Sequence, residues 1–167
     1  MKTNRPFITA GYVGIILILL GLFLMSTFPK YVPYMADGFQ TPVIFFEFVQ
    51  TVEETQQMFG MTNGLLPDDN LIQKMDYGNK IDFIYALVYS LFLFLFAQKL
   101  VKISGKKFYT AVMVLAVIAF VFDCLENIKL ITITENIESG SYQNELETLI
   151  VLTWIKRGAL ALSIVIL

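Results

Sequence analysis

Histidine is absent from this 167-residue chain, and cysteine occurs once, at Cys124. Histidine is the commonest acid–base catalyst and metal ligand, so no haem site and no zinc site of cysteine and histidine is expected. A single cysteine cannot form a disulfide within the chain. The patterns G-x-x-x-x-G-K-[S/T] and G-x-S-x-G are also missing, so neither a nucleotide site nor a serine-hydrolase site is expected.

Charge is scarce as well. Only 16% of the residues are charged, 56% are hydrophobic, and the net charge is −2. With a mean hydropathy of +0.66, this balance is far from that of a soluble protein. Nothing in it suggests nucleic-acid binding, and the length suits one domain. The sequence therefore predicts a single membrane domain over residues 1–167, with membrane lipids as its first partners.

Four apolar segments are long enough to cross a membrane. Residues 7–28 carry no charge, and a helix of that length spans about 33 Å, close to the roughly 30 Å of a bilayer core. This run is longer than the apolar part of a signal peptide, which favours an uncleaved first helix. Further helices are predicted at 81–98, 108–131 and 146–167. The fold class is therefore an all-α, four-transmembrane-helix bundle with a long loop between helices one and two.

The long loop, residues 29–79, is polar and contains four prolines. Within it, Thr51 and Glu54 have the spacing of a capping box and predict a short helix near 51–59. The apolar run 43–49, interrupted by Glu47, could form either a strand or an interfacial segment, because periodicity does not distinguish so short a run.

Basic residues predict the orientation. They concentrate at the N-terminus and between helices two and three, at Lys2, Arg5, Lys99, Lys102, Lys106 and Lys107. By the positive-inside rule this side faces the cytoplasm. We therefore expect a protein of the cytoplasmic (inner) membrane with both termini inside and with loops 29–79 and 132–145 extracytoplasmic.

Ionisable residues interrupt the apolar helices at similar depths. Asp123, Glu126 and Asn127 are spaced i, i+3, i+4 and share one stripe of the third helix. Lys156 and Arg157 lie near mid-depth in the fourth. A charge at the bilayer centre costs about 2.5–3.5 kcal/mol, so such residues normally face the bundle interior and pair. These five residues therefore predict an outward-opening polar pocket of ligand-binding or ion-pairing groups.

The second helix adds Asp82, Tyr85 and Tyr89 at i, i+3 and i+7. Carboxylates are the ligands that Mg²⁺ prefers, so Asp82, Asp123 and Glu126 form a candidate divalent-cation site. Simpler interpretations stand beside this one. Asn79 to Asp82 could cap the second helix, and the tyrosines could be interfacial or packing residues. Glu126 and Asn127 could lie solvated at the headgroup level, and Lys156 or Arg157 could extend to the interface.

Several motifs follow one another in an order that resembles a family of small, uncharacterised four-helix bacterial membrane proteins. The motifs are Phe46-Glu47-Phe48 with the capped helix, Asp82 with Tyr85, Asp123-x-x-Glu126-Asn127, and Lys156. The resemblance implies a four-helix bundle with a polar centre and adds Glu47 to the candidate site. It brings no known activity with it, and Arg157 follows the family's lysine here.

Three functions fit these residues. The first is a membrane protein that binds an ion or a lipid headgroup at the polar pocket, with enzymatic activity on that ligand left open. The second is a structural or accessory subunit whose ion pairs fix helix packing and whose long loop meets a membrane partner protein. The third is a homo-oligomeric ion or proton transporter. The apolar inner halves of helices one, three and four argue against a continuous path.

Overall fold

The computed structural model describes residues 5–62 and 64–167, and over that part of the chain it contains helices and no strand. Four helices are long and apolar enough to cross a membrane. They are α1 (Arg5–Thr27), α4 (Asp69–Ser104), α5 (Thr110–Glu135) and α6 (Gln143–Ile166). The predicted fold class is therefore confirmed, and the protein is a multi-pass membrane protein. Lys2, which contributed to the orientation prediction, lies outside the described residues.

The long helices pack in the order α1, α4, α5, α6, each against the next. One end of the bundle, the lysine end, carries Lys99, Lys102, Lys106 and Lys107 around a 3₁₀ turn at Lys107–Tyr109. The other, the loop end, carries the connections 28–68 and 136–142. Within the described residues, α1 and α6 share no packing contact comparable with those three. The bundle is thus an open arc with a gap between α1 and α6.

Helix α4 begins at Asp69, so the predicted start at residue 81 is wrong. The Asp68 carboxylate caps α4 by accepting hydrogen bonds from the backbone N–H groups of Asn70 and Leu71, at 2.9 and 3.2 Å. The 36 residues of α4 span about 54 Å, well beyond a bilayer core of about 30 Å. Hydropathy marks only the apolar part of such a helix. Because Asn79 is buried inside α4, the alternative that Asn79 to Asp82 cap a helix is also wrong.

The connection 28–68, which we call the cap, folds over the loop end. The run 43–49, left open between a strand and an interfacial segment, forms most of helix α2 (Pro42–Phe48), and Val49 follows as its C-cap residue. The predicted short helix is present as α3 (Val52–Met58), and half of its capping box is formed, because Thr51 Oγ1 accepts a hydrogen bond from Glu54 N at 3.1 Å. The Glu54 carboxylate accepts from Gln50 N at 3.4 Å instead of from Thr51 N. The cap forms an apolar core with the ends of the long helices, including Phe45, Phe46, Phe59, Met75, Ile133 and Leu146.

Inside the membrane-spanning part, small residues allow the helices to approach closely. Ala86, Ala119 and Ala159 are buried on α4, α5 and α6 around Tyr89, as is common where helices meet in lipid. Large apolar side chains such as those of Leu19 and Val117 point outward instead. This arrangement, polar inside and apolar outside, suits a bilayer and encloses the charged residues described next.

Candidate ligand-binding site

The Lys156 ammonium lies at the centre of a buried charged cluster. Its Nζ is 2.5 Å from Glu126 Oε1, 3.3 Å from Asp123 Oδ1 and 3.6 Å from Glu47 Oε1. Lys156 is only 7% exposed, Asp123 3% and Glu126 1%. Buried charges are tolerated when they are paired and hydrogen-bonded, and here one cation is shared by three carboxyl groups.

Glu47 enters the cluster from the cap. Helix α2 rests on α6, where the Thr153 hydroxyl donates a hydrogen bond to the Glu47 carbonyl at 3.3 Å. The Glu47 carboxylate pairs with both Lys156 and Arg157. The Arg157 guanidinium also lies over the Phe48 ring, 4.7 Å from its centroid, a favourable cation–π geometry. The cluster is therefore completed by a residue from outside the four long helices.

Two further hydrogen bonds extend the cluster toward α4. The Tyr89 hydroxyl donates to Asp123 Oδ2 at 2.7 Å, and the Asn127 side-chain amide donates to Asp82 Oδ2 at 2.9 Å. The Tyr85 ring meets the Tyr89 ring edge to face, with centroids 5.8 Å apart. Over the described chain, Asp82 has no cation within 4.0 Å and no other hydrogen bond. It is the carboxyl group of the site that lacks a partner of opposite charge.

The structure thus brings the nine candidate residues of the sequence to one region. Six share a connected network of ion pairs and hydrogen bonds: Glu47, Tyr89, Asp123, Glu126, Lys156 and Arg157. Asp82 and Asn127 form a separate pair, and Tyr85 joins through its ring contact. Residue pattern alone did not place Glu47, which lies on a short helix far away in sequence. Thr153 was not predicted because a single threonine on a helix carries no signal.

Acids outnumber bases in this region. Glu47, Asp82, Asp123 and Glu126 face two cations, Lys156 and Arg157, so full ionisation would leave two negative charges in excess. Within the described part of the chain, the Glu126 Oε2 and Arg157 Nε atoms are buried without a hydrogen-bond partner. Uncompensated buried charge is costly, so the cluster is suited to take up protons, a cation or a ligand with donor groups.

Two cavities adjoin the cluster. The lateral cavity, about 490 Å³, lies between α1, α4, α5 and α6; its wall includes Glu47, Asp82, Asp123, Lys156, Arg157 and Leu160. The cap cavity, about 410 Å³, lies between the end of α1, the cap and α4; its wall includes Lys30, Thr41, Glu47, Asn79, Asp82 and Asn127. Glu47 and Asp82 belong to both walls, so the carboxyl groups can be approached from two directions.

Among the described residues, no group of three or more carboxylate or cysteine side chains has the arrangement of a metal site. In place of a metal ion, the Lys156 ammonium lies among three of the carboxyl groups. A Mg²⁺ site at Asp82, Asp123 and Glu126 stays a prediction.

No protein-family model, no curated protein and no solved structure matches this chain.

Proposed function

We propose that this membrane protein binds an amphiphilic ligand, with the polar headgroup at the charged cluster and the apolar chain between α1 and α6. The lateral cavity carries the proposal, because its two ends differ in chemistry. Ionisable residues line one end, and Leu17, Phe92, Leu93, Leu160 and Ile164 line the other. A lipid headgroup and the first part of its chain need such a combination.

The dimensions support the same ligand class. Along α4, Asp82 and Phe92 are ten residues apart, and along α6, Lys156 and Ile164 are eight apart, so the lining extends about 12–15 Å toward the lysine end. Its volume of about 490 Å³ lies within the roughly 300–1,000 Å³ common for small-molecule sites. The gap between α1 and α6 offers a lateral entrance from the lipid.

The charge balance favours a headgroup that carries a positive charge or several hydrogen-bond donors. Asp82 offers an uncompensated carboxyl group to the lateral cavity, whereas Lys156 is already surrounded by carboxyl groups. The Arg157 guanidinium, whose side chain is 37% exposed, lines the same cavity and suits a hydrogen-bond acceptor. A zwitterionic phospholipid headgroup satisfies both groups.

The experiment measures thermal unfolding of delipidated protein in detergent after addition of phospholipids with different headgroups. Leu160→Trp fills the apolar end of the lateral cavity without altering a charged residue, and Leu162→Trp, on the exposed face of α6, is its control. Saturation at a hundredfold excess over Kd stabilises the folded state by about 2.7 kcal/mol. We expect that stabilisation in the wild type and in Leu162→Trp, but not in Leu160→Trp. Equal stabilisation in both variants would refute the lateral site.

A structural role is the second candidate, and the shared position of Lys156 favours it. A cation held by three carboxyl groups on α2 and α5 fixes the register of these helices against α6. In that case no lipid and no divalent cation, Mg²⁺ included, would raise the unfolding temperature. The cation prediction is tested in the same assay by comparing wild type with Asp123→Asn. The apolar lining toward the lysine end disfavours transport.

We further propose that the protein lies in the cytoplasmic membrane with the lysine end facing the cytoplasm. The lysines at that end support this orientation through the positive-inside rule. Single-cysteine variants test it after Cys124→Ala removes the native thiol. A membrane-impermeant maleimide applied to intact cells should label Ser141→Cys at the loop end and not Ser104→Cys at the lysine end. The reverse pattern would contradict the orientation.

A further inference from the structure

The cap cavity contains polar atoms that have no hydrogen-bond partner among the residues that the structure describes. The Asn79 side-chain amide, on a residue that is only 1% exposed, lines this cavity and makes no hydrogen bond through Nδ2. The Thr41 hydroxyl, also lining it, is buried and unpartnered as well. An unsatisfied buried polar group destabilises a fold, so these two atoms mark where an occupant of the cavity can complete hydrogen bonds.

The charges of the cap cavity are ordered from its inner wall to its outer part. Asp82 lies beside Asn79 along the inner wall on α4, with only the Asn127 amide as its partner. Glu47, the other acid, is already paired with Arg157 and Lys156. Lys30, just beyond the end of α1, supplies the cation of the lining. An occupant therefore meets a negative group inside and a positive group outside.

From these groups we infer that the cap cavity is a second binding site, for a small amino alcohol such as ethanolamine or its phosphate ester. The ligand's ammonium group pairs with Asp82, and its neighbouring oxygen accepts a hydrogen bond from Asn79. A phosphate on that oxygen faces Lys30. The apolar side chains of Leu24, Phe28, Pro42 and Val43 enclose the short carbon chain.

This site differs from the lateral one in its lining and in its access. Asn79, Thr41 and Lys30 line the cap cavity and not the lateral one, whereas Leu160 lines the lateral cavity and not the cap cavity. The cap cavity adjoins the cap rather than the lipid-facing gap. The evidence for the second site therefore comes from residues outside the lateral cavity, but the two sites share Glu47 and Asp82, and the Asp82 carboxylate pairs with one ammonium at a time.

The test is isothermal titration of the full-length protein in phosphatidylglycerol nanodiscs with ethanolamine, phosphoethanolamine and glycerol 3-phosphate. We expect binding of the two amines and at least tenfold weaker binding of glycerol 3-phosphate, which has no ammonium group. Asn79→Leu should weaken amine binding at least tenfold, and Leu160→Trp should leave it unchanged. If Asn79→Leu fails to fold, Val43→Trp replaces it, because that side chain fills the cavity from α2 without removing a polar group.

Several outcomes would overturn the inference: no amine binding, equal binding of glycerol 3-phosphate, or unchanged binding in Asn79→Leu and Val43→Trp. Loss of amine binding in Leu160→Trp alone would assign the amine to the lateral cavity and would also overturn the inference. The lipid assay above measures occupancy of the lateral cavity, which Leu160→Trp fills, so failure of one site leaves the other testable although both use Asp82. Nanodiscs with added phosphatidylethanolamine identify the source of the amine when they contain Leu160→Trp, in which the lateral cavity is closed. Displacement of ethanolamine in that variant assigns the cap cavity to a lipid headgroup, and unchanged binding assigns it to a free solute.

Discussion

Replacement of Lys156 by methionine tests the energetics of the charged cluster. Methionine has a similar length and no charge, so Lys156→Met leaves three carboxyl groups within the former reach of the ammonium and without their shared cation. Removing one partner of a buried ion pair costs about 3–5 kcal/mol. For a chain of this size each kcal/mol lowers the unfolding temperature by about 2–4 °C. We therefore expect a fall of roughly 6–20 °C.

A partly exposed ion pair supplies the matched control. Lys129 Nζ is 2.5 Å from Glu145 Oε2, but the two side chains are 31% and 29% exposed. Exposed pairs contribute about 0.2–1 kcal/mol and are screened by salt. Lys129→Met should therefore lower the unfolding temperature by only a few degrees, and less in 1 M salt. The effect of Lys156→Met should persist in salt.

The assay is unfolding in detergent followed by circular dichroism, repeated at several pH values. The defect of Lys156→Met should shrink as the pH falls, because protonated carboxyl groups no longer need a cation. Adding Glu126→Gln and Asp123→Asn to Lys156→Met should restore most of the lost stability, since neutral groups remove the uncompensated charge. The reasoning is refuted if Lys156→Met costs no more than Lys129→Met, or if the triple variant is no more stable than the single one.

Three further predictions use the same unfolding measurement. Gly78→Ala should lower the free energy of unfolding by about 1–3 kcal/mol, because a Cβ there would overlap the Phe28 ring. Gly11→Ala, where an added Cβ would have nothing within 4 Å, should be neutral or raise that free energy by up to about 1 kcal/mol. Equal effects of the two variants would contradict this steric argument. Thr51→Ala removes the cap of α3 and should cost about 1 kcal/mol, with no loss arguing that tertiary contacts alone hold α3. Burial raises the pKa of Tyr142 to about 12, so the stability that its neutral hydroxyl contributes is complete below pH 10 and is lost as the pH rises through 12. Tyr142→Phe should abolish that loss of stability at high pH. An unchanged pH profile in the variant would contradict the assignment to Tyr142.

The parts of the fold that follow from local signals could be predicted from the sequence. Four charge-poor runs of bilayer length gave the four spanning helices, and the Thr51–Glu54 spacing gave α3. Both signals are short-range, and neither depends on what the segment packs against.

The start of α4 could not be predicted in the same way. Its first turns contain Asp69, Asn70, Lys74 and Asp76. The run of high hydropathy therefore ends where the apolar layer of the membrane ends, while the helix continues into water. Tertiary packing determines where α4 begins, because Leu71 and Met75 on these turns are buried in the core of the cap. The structure of the run 43–49 likewise depends on burial of Phe45 and Phe46 against distant segments.

Helical spacing grouped the polar residues within each helix but did not give their partners. The stripe of Asp123, Glu126 and Asn127 follows from 3.6 residues per turn. The rotation of α6 places Lys156 against Glu126 and Asp123. The rotation of α6 and the position of α2 together bring Arg157 to Glu47. Asn79 illustrates the limit most clearly. The sequence allows a helix cap at this residue, and its actual position lining the cap cavity follows from where α4 begins.

Because Glu47 belongs to the cap, the membrane site is thermodynamically linked to a core that folds in water. The hydrophobic effect holds the aromatic core of the cap together and weakens in urea or on cooling, whereas helices inside lipid are held by packing. Local opening of the cap would withdraw Glu47 from Lys156 and Arg157. The remaining three acids and two cations would then differ by one charge instead of two. Opening of the cap on the aqueous side would thereby change the electrostatic potential inside the membrane.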